Sequence, residues 1–272
     1  MTDRYCVIGN PIAHSKSPRI HAQYGAQLGE DIGYEQCLAP LDGFAATVQR
    51  LIGEDFKGAN VTVPFKLEAA RLATRLTPRA QAAGAVNTLV FGGGEIVGDN
   101  TDGAGLVADI VRNAGVSLEN KRVLLLGAGG AARGALLPLL GAGPRQIVIA
   151  NRTLATAEAL VAGFAAHAAR LQVSGFADVE GRFDVIVNAT SASLDAAVPP
   201  VPTSVFGPGT LALDMMYGDQ PTVFMDFAAG HGATVRDGLG MLVEQAAEAF
   251  ALWRGKRPDT AQVLASMRQS PQ

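Results

Sequence analysis

The feature that most constrains the fold is a repeated alternation of short apolar runs with longer helical patterns. Residues 5–9 and 122–126 are continuous apolar runs of the kind found in buried parallel strands. Helical patterns follow both of them, and helices of this length cover the faces of parallel sheets. The alternation occurs in two successive parts of the chain. We therefore predict an α/β fold with two α/β domains.

The C-terminal part of the chain has a different pattern. Residues 239–255, and those from 259 onward, are strongly helical and have no strand of their own. We expect these helices to pack back on the first domain, which then comprises residues 1–102 plus 239–272. Residues 103–238 form the second domain.

Composition limits the class of protein. Of the 272 residues, 48% are apolar and only 17% are charged, which excludes a disordered chain. The formal net charge is −3, and no cluster of lysine and arginine stands out. Nucleic acid and anionic membrane surfaces are therefore poor candidates as partners.

The cysteines and the apolar segments predict a cytoplasmic protein. Cys6 and Cys37 each lie in an apolar run, where a reduced, buried thiol is the usual state. Only four apolar residues follow Arg4 before Gly9, too few for the core of a signal peptide. The most apolar window, 123–143, contains an arginine, a proline and a glycine cluster. It favours a strand, a turn and a helix over a membrane span.

A glycine cluster follows the predicted strand at 122–126. Residues 127–132, Gly-Ala-Gly-Gly-Ala-Ala, fit the pattern G-x-G-x-x-G/A directly before a helix. Such a turn lets the backbone approach a pyrophosphate, which then meets the N–H groups of the helix start. Gly129 has no side chain to block that approach. The alternative is a purely structural glycine turn.

The end of the next predicted strand indicates which dinucleotide would bind. An NAD site has an aspartate or glutamate there for the ribose hydroxyls, whereas a 2′-phosphate requires a cation and hydroxyl groups. This chain has Asn151, Arg152 and Thr153, with no carboxylate. NADP is therefore favoured, and the alternative is a solvated arginine in a loop.

Polar side chains in the first domain cluster near the ends of predicted strands, where α/β proteins bind ligands. They include Ser15, Ser17, Thr62, Lys66, Asn87 and Asp102. Each has a structural alternative, such as a helix cap for Ser17 or Asp102 and a turn for Asn87. Lys66 differs in kind, because a lysine beside an apolar turn can move protons.

Two other kinds of site are disfavoured. The four histidines show no H-x-x-x-H spacing and no pairing with cysteine, so we expect no metal. The chain also lacks the G-x-S-x-G pattern of serine hydrolases.

Taken together, these segments resemble the shikimate dehydrogenase family from Tyr5 to about Pro258. The matching segments are residues 9–18, 58–66, 83–88, 98–103, 127–131, 151–153, 188–191 and 237–243. The resemblance implies reversible NADPH-dependent reduction of 3-dehydroshikimate to shikimate in aromatic amino-acid biosynthesis. It also implies a discontinuous substrate domain and a Rossmann-type NADP domain, in a monomer or homodimer.

The resemblance also implies roles for individual residues. Lys66 and Asp102 match the family's catalytic pair. The matches to substrate contacts are Ser15, Ser17, Thr62, Lys66, Asn87, Asp102, Tyr217 and Gln245. The matches to NADP contacts are Gly127, Ala128, Gly129, Gly130, Ala131, Asn151, Arg152, Thr153, Met215 and Gly238.

The chain departs from the family at one position that concerns the cofactor. Thr156 stands where many members have a second basic residue, which leaves Arg152 as the only evident cation for a 2′-phosphate. One alternative function is that of a relative preferring quinate or NAD. Another is a silent sensor that binds the ligands without turnover. The presence of both Lys66 and Asp102 favours the enzyme.

Overall fold

The computed structural model describes residues 2–269. The chain divides into two compact units, the first formed by Met1–Gly105 with Leu242–Gln272 and the second by Leu106–Met241. These divisions lie three residues from the bounds expected from the sequence, after residues 102 and 238.

Strands and helices alternate through both units. The first contains β1 (Asp3–Gly9), α1 (Ser17–Leu28), β2 (Ile32–Leu38), α2 (Phe44–Gly53), β3 (Phe56–Val61), α3 (Lys66–Leu72), β4 (Arg75–Leu76), α4 (Pro78–Ala83), β5 (Thr88–Gly92) and β6 (Glu95–Asp99). Helix α5 (Asp102–Ala108) leads into the second unit, which contains β7 (Arg122–Leu126), α6 (Gly130–Gly141), β8 (Gln146–Ala150), α7 (Leu154–Ala162), β9 (Leu171–Ser174), β10 (Val185–Asn188), β11 (Leu211–Asp214), α8 (Val223–Gly230) and β12 (Thr234–Arg236). The chain returns through α9 (Leu239–Arg254) and ends with α10 (Thr260–Gln269). Across residues 2–269, no helix combines the length and apolarity needed to cross a membrane.

The first sheet is mixed, with strand order β2-β1-β3-β5-β6-β4. Strand β1 is parallel to β2 and β3, whereas β5 is antiparallel to both of its neighbours. Strands β5 and β6 form a hairpin. Its turn uses Gly93 and Gly94 at φ +59° and +78°, values that favour glycine.

Helix α9 packs on one face of the first sheet. The Trp253 ring stacks on Tyr5 of β1 at 4.5 Å, and its Nε1–H donates to the Leu89 carbonyl at 3.0 Å. A Cβ at Gly58 of β3 would lie 2.4 Å from Trp253 Nε1, so this close packing requires glycine there. The predicted return of the C-terminal helices to the first domain is confirmed.

The opposite face carries an apolar core. Phe44 and Leu51 of α2 pack there with Phe65 and with strand residues that include Cys6 and Cys37. Both cysteines are buried free thiols, as the sequence predicted.

The second sheet is wholly parallel, with order β12-β11-β10-β7-β8-β9. The chain builds outward from β7 in one direction and then from β10 in the other. This order confirms the Rossmann-type prediction, and ligands bind in such sheets where the direction reverses. The reversal lies between β7 and β10.

A buried carboxylate connects β6 to α4. Asp99 is 1% exposed and accepts hydrogen bonds from Thr77, from two nitrogens of Arg79 and from the Asn100 N–H, at 2.5 to 2.7 Å. Burial raises the pKa of this carboxyl, but the hydrogen bonds from Arg79 and Thr77 lower it by more, so the pKa lies below its ordinary value.

We predict that Asp99→Asn destabilises the protein by about 3 kcal/mol at neutral pH, because Arg79 is left without its buried partner. A carboxyl whose folded pKa is depressed stabilises the fold above its unfolded pKa of about 3.9, and this contribution disappears as the pH falls through the folded pKa. As the pH is lowered below about 4, the free energy of unfolding of the native protein should therefore decrease, and that of Asp99→Asn should decrease less steeply.

Urea unfolding at several pH values measures both effects. Asp42→Asn, at an exposed position, is the control, and equal acid sensitivity of native protein and Asp99→Asn would contradict the prediction.

Candidate active site

Strand direction brings polar residues of the first unit to one edge of the sheet. Because β5 is antiparallel to its neighbours, its first residue pairs with residues near their carboxyl ends. Thr88 lies opposite Asn60 of β3 on one side and opposite Asp99 of β6 on the other. Asn87 precedes β5 and Asp102 follows β6, so both lie at this edge.

Lys66 and Asp102 form an ion pair at this edge. Lys66 is the first residue of α3 and Asp102 the first of α5, and Lys66 Nζ lies 2.6 Å from Asp102 Oδ2. Their side chains are 32% and 21% exposed, so the pair is sheltered but accessible. An ammonium group held by a carboxylate can deliver a proton to a bound molecule.

Asn87 joins this pair to Gln245 of helix α9. Its Nδ2 donates to Asp102 Oδ1 at 2.8 Å, to Thr101 Oγ1 at 2.9 Å and to Gln245 Oε1 at 3.2 Å. The structure thus brings together four of the predicted site residues: Lys66, Asn87, Asp102 and Gln245.

The remaining predicted residues of the first unit also follow strands. Ser15 and Ser17 come after β1, and Thr62 directly follows β3. The Ser17 N–H donates to Ser15 Oγ at 3.3 Å, and α1 begins at Ser17 itself. The cap expected from the Ser17 side chain is therefore wrong, since Ser15 supplies the oxygen. Within residues 2–269, no hydrogen bond joins Ser15 or the Thr62 side chain to Lys66.

Four residues linked to Asn87 by hydrogen bonds, directly or through one another, are not among the predicted site residues: Tyr34, Asn60, Thr88 and Thr101. Tyr34 is partly buried and the other three are buried. Burial raises the pKa of Tyr34 well above its usual value. The sequence signal for Asn60, Thr88 and Thr101 was that each is a polar residue near an element end, within two positions of a predicted site residue.

His21 packs in the interior of the first unit. His21 is fully buried and stacks on Tyr34 at 4.2 Å, and burial lowers its pKa to about 3. Among the described residues, no group of three histidine, cysteine or carboxylate side chains lies together as a metal site requires.

The second unit contains a groove at its switch point, with a volume of about 690 Å³. Five of its lining residues were predicted as cofactor contacts: Gly127, Ala128, Gly129, Asn151 and Arg152. The lining residues that were not selected follow β9 and β10 or lie in the next loop: Phe176, Ala189, Thr190, Ser191, Ala192, Ala197, Val198, Pro199 and Pro200.

The glycine loop has the shape that the sequence predicted. Gly127 has φ +103°, and a Cβ there would lie 3.1 Å from the Thr190 side chain and 3.2 Å from the Ala189 carbonyl oxygen. A methyl group added at Gly129 or Gly130 would meet no atom within 4 Å, so the space beside them is open. Gly129 is the cap position of α6, and the first N–H groups of that helix can bind an anion.

Two buried side chains hold the loop after β10. Asn188 Oδ1 accepts from the Thr190 N–H at 3.2 Å and from its hydroxyl at 2.7 Å. Asp214 Oδ2 accepts from the hydroxyls of Ser193 and Thr222 at 2.6 and 2.7 Å. These contacts keep this side of the groove in place.

The other predicted residues of the second unit lie outside the described lining of the groove: Gly130, Ala131, Thr153, Met215, Tyr217 and Gly238. Gly130 and Ala131 begin α6, and Thr153 directly precedes α7. A Cβ at Gly238 would lie 2.1 Å from the Met215 carbonyl oxygen, so packing against Met215 requires glycine there. Tyr217 follows β11, and burial raises its pKa.

Comparison with known proteins identifies the family. Residues 7–89 match the description "Shikimate dehydrogenase substrate binding domain", residues 109–197 "Shikimate / quinate 5-dehydrogenase" and residues 238–268 "Shikimate 5'-dehydrogenase C-terminal domain". The shikimate dehydrogenase (NADP(+)) of Herminiimonas arsenicoxydans is 66% identical over 268 residues, 98% of each chain. The chain belongs to the shikimate dehydrogenase family. The predicted family and the predicted class of NADP-dependent oxidoreductase are confirmed.

Solved structures agree with this assignment. The Ael1 enzyme from Pseudomonas putida has a TM-score of 0.94 and 51% identity, covering 97% of this chain and 98% of its own. The shikimate 5-dehydrogenase of Thermus thermophilus, in complex with NADP(H) and shikimate, has a TM-score of 0.86 and 33% identity, covering 98% of this chain and 99% of its own.

The groove of this family member fits NADP. Its glycine loop leaves room for a pyrophosphate beside the start of α6, and Arg152 is an exposed cation on the groove. No carboxylate lies at residues 150–153, where one would repel a 2′-phosphate.

We predict that Gly129→Ala weakens NADP binding about tenfold without changing the thermal unfolding temperature. The new methyl group meets no protein atom within 4 Å, but it occupies the approach to the pyrophosphate, and loss of one good contact is about a factor of ten. Gly141→Ala, at the other end of α6 and equally open, is the control. Titration calorimetry measures both affinities, and an unchanged dissociation constant in Gly129→Ala would remove Gly129 from the site.

Proposed function

We propose that this protein reduces 3-dehydroshikimate to shikimate with NADPH, and catalyses the reverse reaction, in aromatic amino-acid biosynthesis. The observation that supports it most directly is the accessible Lys66–Asp102 pair, with Nζ 2.6 Å from Oδ2, beside further polar groups of the first unit. The first unit then binds the substrate and the second binds NADP. NADPH supplies the hydride when it is bound.

Lys66 manages the proton of the reaction. An ammonium group has three donors, and the Asp102 carboxylate uses one of them. A second N–H can therefore donate to the substrate oxygen. Lys66 Nζ gives its proton to the developing alkoxide during reduction and takes it back in the oxidation direction.

Asp102 orients both Lys66 and the substrate. Its Oδ2 accepts from Lys66 and its Oδ1 from Asn87, and a carboxylate has about four acceptor positions. The remaining positions accept a hydrogen bond from a substrate hydroxyl. Lys66 and that hydroxyl are thereby held beside the same group.

Two serines bind the substrate carboxylate. Ser15 Oγ accepts from the Ser17 N–H, which leaves the Ser15 hydroxyl proton available to an anion. Hydrogen bonds from hydroxyls to carboxylates are short and charge-assisted. Thr62, Asn87, Tyr217 and Gln245 supply the other substrate contacts that we propose.

The cofactor site uses the glycine loop and the residues after β8. Backbone groups of residues 127–131 hold the pyrophosphate, and Met215 and Gly238 complete the proposed contacts. Asn151 Nδ2 donates to the Thr153 carbonyl at 2.9 Å, which shapes the loop that presents Arg152. Arg152 meets the 2′-phosphate.

We also propose a cytoplasmic location and a small-molecule substrate as the partner, with no nucleic acid or membrane partner. The net charge of −3 and the two buried thiols support this proposal. The proposed assembly is a monomer or homodimer, which size-exclusion chromatography with light scattering distinguishes.

The deciding experiment follows NADP reduction by absorbance with shikimate, with quinate and with no acid, and repeats the series with NAD. Turnover of shikimate with NADP supports the proposal. Faster turnover of quinate, or with NAD, assigns the protein to the alternative specificity. Binding of shikimate and NADP without turnover assigns it to the sensor class.

We predict that Lys66→Ala lowers kcat about 10²- to 10⁴-fold while shikimate still binds, the usual range for a positioned acid or base. Lys57→Ala is the matched control, because Lys57 also lies 2.6 Å from an aspartate, Asp55, but in a surface pair. Steady-state kinetics and shikimate binding measure the two effects. Near-normal kcat in Lys66→Ala would assign the proton transfer to another group.

We predict that Arg152→Ala raises KM for NADP about ten- to a hundredfold and leaves KM for NAD nearly unchanged. A charge-assisted hydrogen bond contributes about 1.5–3 kcal/mol, and NAD has no 2′-phosphate for Arg152 to contact. Arg145→Ala is the control, since this exposed arginine lies just before the opposite end of β8. Thr156→Arg should increase the preference for NADP. Equal loss of both cofactors in Arg152→Ala would make Arg152 a structural or adenine-contacting residue.

A further inference from the structure

Among residues 2–269, the Thr88 hydroxyl bonds to asparagine and threonine side chains and makes no hydrogen bond to Lys66 or Asp102. Thr88 is the first residue of β5, is fully buried, and lies opposite Asn60 in the antiparallel pairing with β3. Its hydroxyl makes hydrogen bonds on two sides. The directions of these bonds follow from which partner atoms can only accept and which can only donate.

The donors and acceptors of this set of hydrogen bonds can be assigned starting from the Asn60 amide. Its Nδ2 donates to the backbone carbonyl oxygen of Asn87 at 3.3 Å, and a carbonyl oxygen accepts only. This contact determines which end of the Asn60 amide is nitrogen. Asn60 Oδ1 therefore faces the Tyr34 hydroxyl, which donates to it at 2.7 Å.

The assignment at Asn60 determines the role of the Thr88 hydroxyl. Asn60 Nδ2 also donates to Thr88 Oγ1 at 3.1 Å, so the single hydroxyl proton of Thr88 is left for another acceptor. Asn87 Oδ1 lies at 3.0 Å and the Thr101 hydroxyl at 3.4 Å, so the shorter contact assigns the proton to Asn87 Oδ1. The Thr101 N–H, which can only donate, reaches the same oxygen at 2.8 Å.

The Asn87 amide is therefore oriented by two donors on its oxygen. Its nitrogen must then face Asp102 Oδ1, which it reaches at 2.8 Å. With the amide reversed, an oxygen would face the carboxylate and repel it. We propose that Thr88 is a positioning residue of the reaction: by donating to Asn87, it keeps the Asn87 N–H on Asp102 and so keeps Asp102 aligned on Lys66. This inference rests on the proposed function of the Lys66–Asp102 pair.

Burial gives the Thr88 hydroxyl its importance. Asn60, Asn87 and Thr88 are at most 5% exposed, so water does not replace a lost hydrogen bond. Removing the hydroxyl leaves an Asn60 N–H without its acceptor and the Asn87 oxygen with one donor fewer. Both losses loosen the amide that holds Asp102.

The test is Thr88→Val, which keeps the shape of the side chain and removes the hydroxyl. We expect kcat for shikimate oxidation to fall about tenfold, the factor for one buried hydrogen bond that matters in the transition state, while KM for NADP changes less than about twofold. Thr88→Ser restores the hydroxyl and should recover kcat to within about threefold of the native value. A structural defect at this position would not be corrected by the smaller serine.

Thr210→Val is the matched control. Thr210 is equally buried and its hydroxyl donates to the Phe183 carbonyl at 2.7 Å, but in the second unit. It should lower the thermal unfolding temperature as Thr88→Val does and leave kcat unchanged. A similar fall of kcat in both variants overturns the inference, because general destabilisation would then explain it.

The remaining outcomes are equally decisive. Native kcat in a folded Thr88→Val, or no recovery in Thr88→Ser, overturns the inference and leaves the proposed function standing. Absence of turnover by the native protein overturns both. Should Thr88→Val fail to fold, Thr88→Cys replaces it, since a thiol of similar size is a much weaker donor. At least a threefold fall of kcat then supports the inference, and an unchanged kcat overturns it.

Discussion

The reversed direction of β5 is the constraint on which the site in the first unit depends. A strand of five residues spans roughly 17 Å. Were β5 parallel to β3 and β6, Asn87 would lie at the opposite edge of the sheet, about that distance from Asp102. The antiparallel pairing of β5 with β6 follows from the tight Gly93–Gly94 turn, which two positive φ angles permit. The direction of β5 relative to β3 depends instead on the connection through α3, β4 and α4. Both connections are needed to bring Asn87 and Asp102 to the same edge.

The meeting of these strand ends concentrates buried polar groups, which would be costly unless each found a partner. Asn60, Asn87 and Thr101 satisfy one another with neighbouring hydroxyls and backbone groups. Lys66 and Asp102, at the end of this set, are partly exposed. The arrangement separates two requirements: the buried members hold the geometry, and the exposed pair is left to contact a substrate.

Local signals explain what the sequence predicted and what it did not. The glycine loop at 127–132 was predictable because its strand, turn and helix are contiguous in the chain. Strands β4, β9 and β12 were not, because two to four residues at a sheet edge show no periodicity. The hydrogen bonds of Asn60 could not be predicted either, since its partners Asn87 and Thr88 lie 27 and 28 residues away in the chain. A hairpin motif predicts the pairing of β5 with β6, but not its pairing with β3.

The two units also differ in how many buried residues their proposed sites depend on. In the cofactor site that we propose, specificity for a 2′-phosphate depends on one exposed side chain, Arg152, and the other proposed contacts are mainly backbone groups that any dinucleotide can use. Around Asp102, Oδ2 accepts from Lys66, and Oδ1 accepts from Asn87, whose amide is oriented by buried neighbours. Cofactor preference can therefore change by substitution at the surface of one loop, whereas the proton-transfer pair cannot move without repacking several buried groups. We expect changes of substrate within this fold at proposed contacts outside the buried set, such as Ser15 and Thr62, because substitutions there can alter what is bound without disturbing the hydrogen bonds that hold Asp102 on Lys66.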